Sequence, residues 1–309
     1  MKVRLPEGLD AERAGIPLVA LVFCINLFTD KALSEMGPAA HASFDQFRAI
    51  VGDDALRFYA TGTMSKHKPV TKRAMTMLAT WLAPGAKLND YSYLCFQDSA
   101  EYNHAPRALY LIAGREAFKG HRADDATIIR LSLPLDKLAD DPEQLVALTR
   151  ALWASVPLRS GQAGFAFEST RYLLDDAHEH AYAKSMRHPG IDIPDAANDA
   201  IMVGFDRVRG VGWLTMLDDA FVAQLGGMDA LTKAVGAGVD VIPLRPGVML
   251  RAGKAPQFGD VNAKDDLPAQ RAVFAALKPL MPAFGDAPSL NIGGDFSTRM
   301  EAWLGRFGP

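Results

Sequence analysis

Apolar residues fill Ile16–Phe28 almost without interruption, and only Asn26 breaks the run. Its β-branched and aromatic residues (Val19, Val22, Phe23, Ile25, Phe28) predict a strand over Leu18–Phe28 that is buried on both faces. Beyond it, the spacing of apolar positions alternates between helical and strand periods. The first half predicts a helix over Ala39–Val51, a strand over Leu56–Ala60 and a helix over Val70–Leu82. Three strands follow near Tyr91–Phe96, Ala108–Ala113 and Ile128–Leu133, with Pro84-Gly85 and Pro134 as punctuation. A helix over Glu143–Ser155 closes this half. Asp141-Pro142-Glu143 opens it with a capping side chain, a proline in the first turn and an acid near the positive end of the helix dipole.

The second half predicts a strand over Gly164–Glu168, a helix over Thr170–Met186, an irregular stretch to Arg209 and a strand over Gly212–Leu217. Two short helices split at Gly226-Gly227 come next. Strands Val239–Leu244 and Val248–Arg251, joined by Arg245-Pro246-Gly247, precede a helix over Ala269–Leu280. Both halves thus read strand, helix, strand, helix, antiparallel strands, helix. The expectation is an α+β fold of two packed, pseudo-equivalent lobes (1–157 and 158–309), with antiparallel or mixed sheets flanked by helices. No flexible linker separates them, because Ser155-Val156-Pro157-Leu158 runs almost straight from a helix into a strand. The 309 residues are therefore expected to form a single structural unit.

Composition narrows the class. Hydrophobic residues at 49% and charged residues at 22% suit a globular chain and exclude a disordered or fibrous one. The Ile16–Phe28 run is shorter than the roughly 20 apolar residues a spanning helix needs, so no membrane segment is expected. Acids at Glu7, Asp10 and Glu12 and the lack of a small-x-small cleavage site argue against export. Cys24 and Cys95, both in apolar strand-like runs, read as reduced core residues and point to the cytoplasm.

Net charge is −3, which gives no case for nucleic-acid binding. Its distribution says more. Between Asp175 and Asp240 stand eleven acids against five bases, a balance of −6 that leaves +3 for the rest of the chain. A partner with a basic surface would be steered towards such a region, unless the acids simply solvate helices and loops.

The sequence lacks the common catalytic patterns. His178 and His180, two apart on a helix, point about 200° away from each other and cannot share a ligand face, so no metal site is expected. Gly236-Ala237-Gly238 follows a helix and precedes a strand, the reverse of a phosphate loop, and reads as a helix C-cap. No Gly-x-Ser-x-Gly elbow occurs, and Glu116-Ala117-Phe118-Lys119 has the wrong spacing for a nuclease motif.

Against this background, one stretch carries a resemblance. GVGWLTMLDDAFVAQLGGMDAL from Gly210, VMLRAGKAPQFGDVN from Val248 and PAQRAVFAALKPL up to Leu280 together resemble the TsiV-type immunity proteins of bacterial type VI secretion. The likeness extends upstream through Arg159–Phe167 and Arg187–Asp192, and is loose in the first half. It implies a protein that binds a secreted effector toxin, associated in such relatives with nucleases, and that needs no catalytic residue and no cofactor. Candidate contacts are Asp98, Glu101 and Tyr102 in the polar loop Phe96–His104, Asp175, Asp176 and Glu179 in the acidic window, and Arg251, Gln257 and Asp260 around the loop after Val248–Arg251. The last three would equally serve to pin that loop. Competing expectations are a small-molecule-binding or hydrolytic enzyme with its site between the lobes, and a protein acting through self-association.

Overall fold

In the computed structural model, residues 5–62, 64, 66–83, 86, 92–99, 104–115, 125–138, 140–282 and 290–308 are described. The first half contains the hairpin β1 (Glu12–Arg13) and β2 (Ile16–Pro17), then β3 (Val19–Thr29), α1 (Gly37–Val51), β4 (Phe58–Thr61), β5 (Lys68–Pro69), α2 (Met77–Trp81), β6 (Ser92–Gln97), β7 (Leu109–Gly114), β8 (Thr127–Pro134) and α3 (Pro142–Ser155). The second contains β9 (Ser160–Ser169), α4 (Leu174–Arg187), β10 (Ile191–Asp192), α5 (Ala196–Val203), β11 (Leu214–Leu217), α6 (Asp219–Gln224), α7 (Met228–Val235), β12 (Val239–Pro243), β13 (Val248–Ala252), α8 (Pro268–Leu277) and α9 (Phe296–Leu304).

This is an α+β fold in which β1 and β2 pair only with each other and the other described strands join one 11-stranded sheet in the order β12-β13-β11-β9-β3-β8-β7-β6-β4-β5, with β10 beside β9. All neighbours on that path are antiparallel, and β10 alone runs parallel to its partner. Each half places its first long strand at the middle. β3 and β9 pair from Val19 opposite Ser169 to Phe28 opposite Ser160, so the sheet runs unbroken across the junction of the halves. Outward from these strands the wiring differs: β8, β7, β6, β4 and β5 on one side, β11, β13 and β12 on the other. The likeness of the halves therefore lies in layout and not in strand order.

Alternation sorts the strand residues onto two faces. Phe23, Ile25 and Leu27 of β3 pack with Phe44 and Phe47 of α1 and Leu152 and Trp153 of α3. On the opposite face, Phe28 and Ile128 meet Ala200 and Val203 of α5. Farther along, Leu250 of β13 packs with Leu231 of α7 and Val273 of α8. α4 and α9 bring Ala177, Ala181 and Trp303 to Phe165 and Phe167 of β9. Because β3 is covered on both sides, its apolar run is nearly continuous.

Turn chemistry follows the sequence. Asp141 accepts from Glu143 N with Pro142 in the first turn of α3, Gly226 and Gly227 have φ of 88° and 91° between α6 and α7, and Gly236 caps the C-terminus of α7. Gly247, with φ of +89°, has no room for a side chain, since a Cβ there would sit 1.9 Å from Leu217 O. Beside it Trp153 donates to Pro246 O at 2.6 Å, tying α3 of the first half to the β12–β13 hairpin of the second.

Four segments depart from expectation. The helix expected over Val70–Leu82 reduces to a 3-10 turn at Ala74–Thr76 followed by α2. Thr71 Oγ1 accepts from Ala74 N at 3.1 Å, a local bond that competes with an earlier start. α4 begins at Leu174 and not at Thr170, leaving residues 170–173 as a turn. The stretch expected to be irregular holds α5, capped by Asp195 on Asn198 N. α9, not anticipated at all, is capped the same way by Asp295. Pro84-Gly85, Tyr91 and Glu116–Lys119 lie outside the described residues.

Candidate functional site

Asn26, the single polar break in the β3 run, is one end of a buried polar network. The register sets it opposite Arg130 on β8 and Gln162 on β9, so all three share one face of the sheet. Arg130 donates to Asn26 Oδ1 at 3.0 Å and to Pro194 O at 3.3 Å. It also lies 3.8 Å from Glu168 and 3.5 Å from Asp199, both buried. Glu168 accepts from Ser132 Oγ at 2.5 Å. Asp199 is bound by Arg209 at 2.5 Å, and Arg209 reaches Asp192 at 2.5 Å. Asp192 in turn accepts from Gln162 at 2.8 Å and from Arg306 at 3.3 Å. Trp303 covers this end, with the Arg209 and Arg306 guanidinium carbons 5.7 and 4.6 Å from its ring centre.

Burial governs the electrostatics. It raises the Glu168 carboxyl despite Arg130 and the Ser132 hydrogen bond, and raises Asp199 to about 6 against Arg209 and Arg130. Burying charges is unfavourable unless they are paired and hydrogen-bonded, and here each one is. The network's cations and anions answer one another, which marks it as architecture rather than as a free reactive centre.

Next to it opens a cleft of about 500 Å³ between β6–β7 and the start of α4. Its floor is Cys95, Leu109 and Leu111, the face of β6 and β7 turned away from α1. Arg130 and Glu168 form its deep wall, while His67, His104, Arg171, His178 and Asp195 stand around it. Burial pushes the Cys95 thiol up to about 11, so it is no thiolate at neutral pH. Burial also lowers His178, whose Nδ1 accepts from Asn291 N at 2.9 Å. Among the described residues no group of three or more His, Cys, Asp or Glu is placed to hold a metal ion. The arrangement suits recognition: an apolar floor with a polar surround of arginines, histidines and two carboxylates.

The candidate contacts named from sequence are scattered. Asp98 accepts from Arg107 N at 3.0 Å, closing the β6–β7 turn near the cleft. Glu101 and Tyr102 lie outside the described residues. Asp175, Asp176 and Glu179 line a second, shallower hollow on the far side of the first turns of α4. Asp176 pairs with Arg13, and Glu179 is held by both Arg299 nitrogens at 2.7 and 2.9 Å, which keeps its carboxyl below the usual range. Asp175 is exposed. Arg251 is buried over the Trp213 ring at 5.5 Å and donates to Gly253 O at 3.2 Å and Lys254 O at 2.5 Å, so it shapes its loop from inside. Asp260 pairs with Arg187 at 3.0 Å, and Gln257 is exposed on the same loop.

Reading the sequence missed the cleft and its neighbour Tyr172. With 64% of its surface exposed, Tyr172 follows Arg171 of the cleft in the turn that leads into α4. Its placement inside an expected helix concealed it.

A solved structure, the Pseudomonas aeruginosa T6SS protein PA0821, shares the fold with a TM-score of 0.81 at 21% identity, covering 98% of this chain and 88% of that one. A family model described as "TsiV: Type VI immunity for VRR-NUC" matches residues 39–307, and the chain belongs to that family. The match takes in the first half, where the resemblance by eye was loose. No curated protein matches the chain. No helix among the described residues is long and apolar enough to cross a membrane.

Proposed function

We propose that this protein acts in the cytoplasm by binding a VRR-NUC nuclease toxin of type VI secretion and covering its active site, with no turnover and no cofactor. The observation that carries the reading is the family match over residues 39–307, which takes in every strand of the sheet from β4 onward and both walls of the cleft. The chemistry supports it. Groups able to react are neutral or already paired, whereas exposed side chains and hollows suited to contact cluster around the first turn of α4. Asp98, Tyr172, Asp175 and Gln257 are the accessible members of the contact set, and a stable complex needs about 800 Å² on each partner. Two buried, unpaired cysteines fit a reducing compartment.

Co-expression with the cognate toxin is the test. A stoichiometric complex on gel filtration and restored growth of toxin-producing cells are expected. No complex, or growth no better than with an empty vector, defeats the proposal. The same cleft is where a small-molecule site between the halves would fall, and saturable binding of a metabolite there without any toxin complex is the outcome that favours the rival.

A further inference from the structure

No acid occurs between Asp54 and Asp90, while Arg57, Lys66, Lys68, Lys72, Arg73 and Lys87 all fall there. The five among the described residues are all exposed, and no ion pair involves them there. They sit on or beside β4 and β5, the terminal strands of the sheet. Elsewhere the opposite holds: Arg13, Arg159, Arg299 and Arg306 come from outside the acidic window to meet Asp176, Asp218, Glu179 and Asp192 within it. Acids of the window are thus met by cations from distant parts of the chain, whereas the basic edge meets no acid among the described residues. Lysines commonly protect an edge strand from pairing, but β5 has two residues and the cations continue beyond it to Lys72 and Arg73.

This edge leads into the cleft. His67, next to Lys66 and Lys68, lies 3.2 Å from Gln97 on the cleft wall. Across the opening, Arg171 lies over the Tyr93 ring at 5.6 Å. Inside, Arg130 is 96% buried with its Nη2 turned to Asp199 at 3.5 Å, and Ser169 Oγ is buried without a partner. Both residues line the cleft, so its wall offers a fixed cation and one unmet hydroxyl above an apolar floor.

We infer that this cleft and the basic edge beside it form a docking surface for an acidic, partly apolar segment of the toxin. The inference rests on the immunity reading and adds the location and the sign of the contact. A protein segment fits better than nucleic acid. The floor of Leu109, Leu111 and Cys95 offers a phosphate backbone nothing, but takes an aliphatic side chain whose flanking acids reach Arg171 and the exposed lysines outside the cleft. Tyr172, exposed beside Arg171, supplies an aromatic anchor at the rim.

The test uses the triple variant Lys66→Glu, Lys68→Glu and Arg171→Glu, all exposed positions, with Asp240→Lys on β12 at the opposite end of the sheet as control. Binding to catalytically inactivated toxin is followed at about 50 and about 200 mM salt, where screening of exposed charges differs strongly. The wild type and the control should associate quickly and lose speed with salt. The triple variant, folded by circular dichroism, should associate at least about tenfold more slowly and ignore salt. Equal binding by the triple variant overturns the surface while leaving immunity intact. Absence of toxin binding by the wild type overturns immunity, and a second arm then decides the surface. In it, a labelled Asp/Glu-Leu peptide and a labelled DNA duplex are titrated against wild type and triple variant. Peptide binding lost in the variant upholds an acidic-segment site, whereas preference for DNA, or no binding of either, overturns it.

Discussion

Arg209 Nε lies 2.5 Å from Asp199 Oδ1, and the two side chains keep only 3% and 4% of their surface exposed. One comes from the chain just after α5 and the other from within it, and the same guanidinium also reaches Asp192 on β10. This pair ties the α5 cover to the parallel edge of β9 and faces the wall that carries Arg130.

Replacing Arg209 with Met leaves Asp199 and Asp192 buried without their shared cation, and stability should fall by about 3–5 kcal/mol. Urea unfolding monitored by tryptophan fluorescence measures it. The double variant Arg209→Met with Asp199→Asn should lose less than the sum of the single changes, because it removes the stranded charge as well. Strict additivity would show that the pair is not coupled.

The pH response of Asp199 has a defined sign. Its folded pKa of about 6 exceeds the ordinary 3.8, because lost hydration outweighs its two arginines. Between these values the folded chain keeps a proton that the unfolded chain has released. Its contribution to stability therefore declines as pH rises from about 4 to about 6, by up to about 3 kcal/mol, and is constant above. The difference in unfolding free energy between wild type and Asp199→Asn should follow that course in a pH series. A difference independent of pH would contradict the raised value.

Arg251 holds the backbone of residues 253 and 254 while lying on Trp213. Arg251→Ala should speed amide exchange across residues 253–259 and cost about 2 kcal/mol, through lost charge-assisted hydrogen bonds and ring contact. If exchange is unchanged, Pro256, Gly259 and the Asp260–Arg187 pair suffice to fix the loop.

Val22 is wholly buried on β3, between β8 and β9. Val22→Asp should place an unpaired charge in the middle of the sheet and cost several kcal/mol, seen as aggregation or a large drop in melting temperature. A soluble variant of normal stability would mean that the strand tolerates exposure.

Most of the strands and longer helices, the central strand and the α+β class were legible in the sequence because they rest on local physics, whereas α5 and α9 were not. Burial of β3 on both faces demands a continuous apolar run, and Asp141-Pro142 or Gly236 fix helix ends within a few residues of themselves. What the chain did locally could be read locally, and the family resemblance lay in the same contiguous segments. The net charge of a surface, by contrast, was settled only in three dimensions. The acids from Asp175 to Asp240 form a negative window along the chain, yet Arg13, Arg159, Arg299 and Arg306 come from outside it to pair with Asp176, Asp218, Glu179 and Asp192. The cleft likewise joins β6 and β7 to α4 and Asp195 across long separations, so no period or motif announces it. Arg251 was readable as polar and near a loop, but whether it faced outwards or inwards depended on Trp213 and Glu143 being beneath it. Hydrophobic patterning acts between neighbours in sequence, whereas pairing of charges and enclosure of space depend on residues that only the folded sheet brings together.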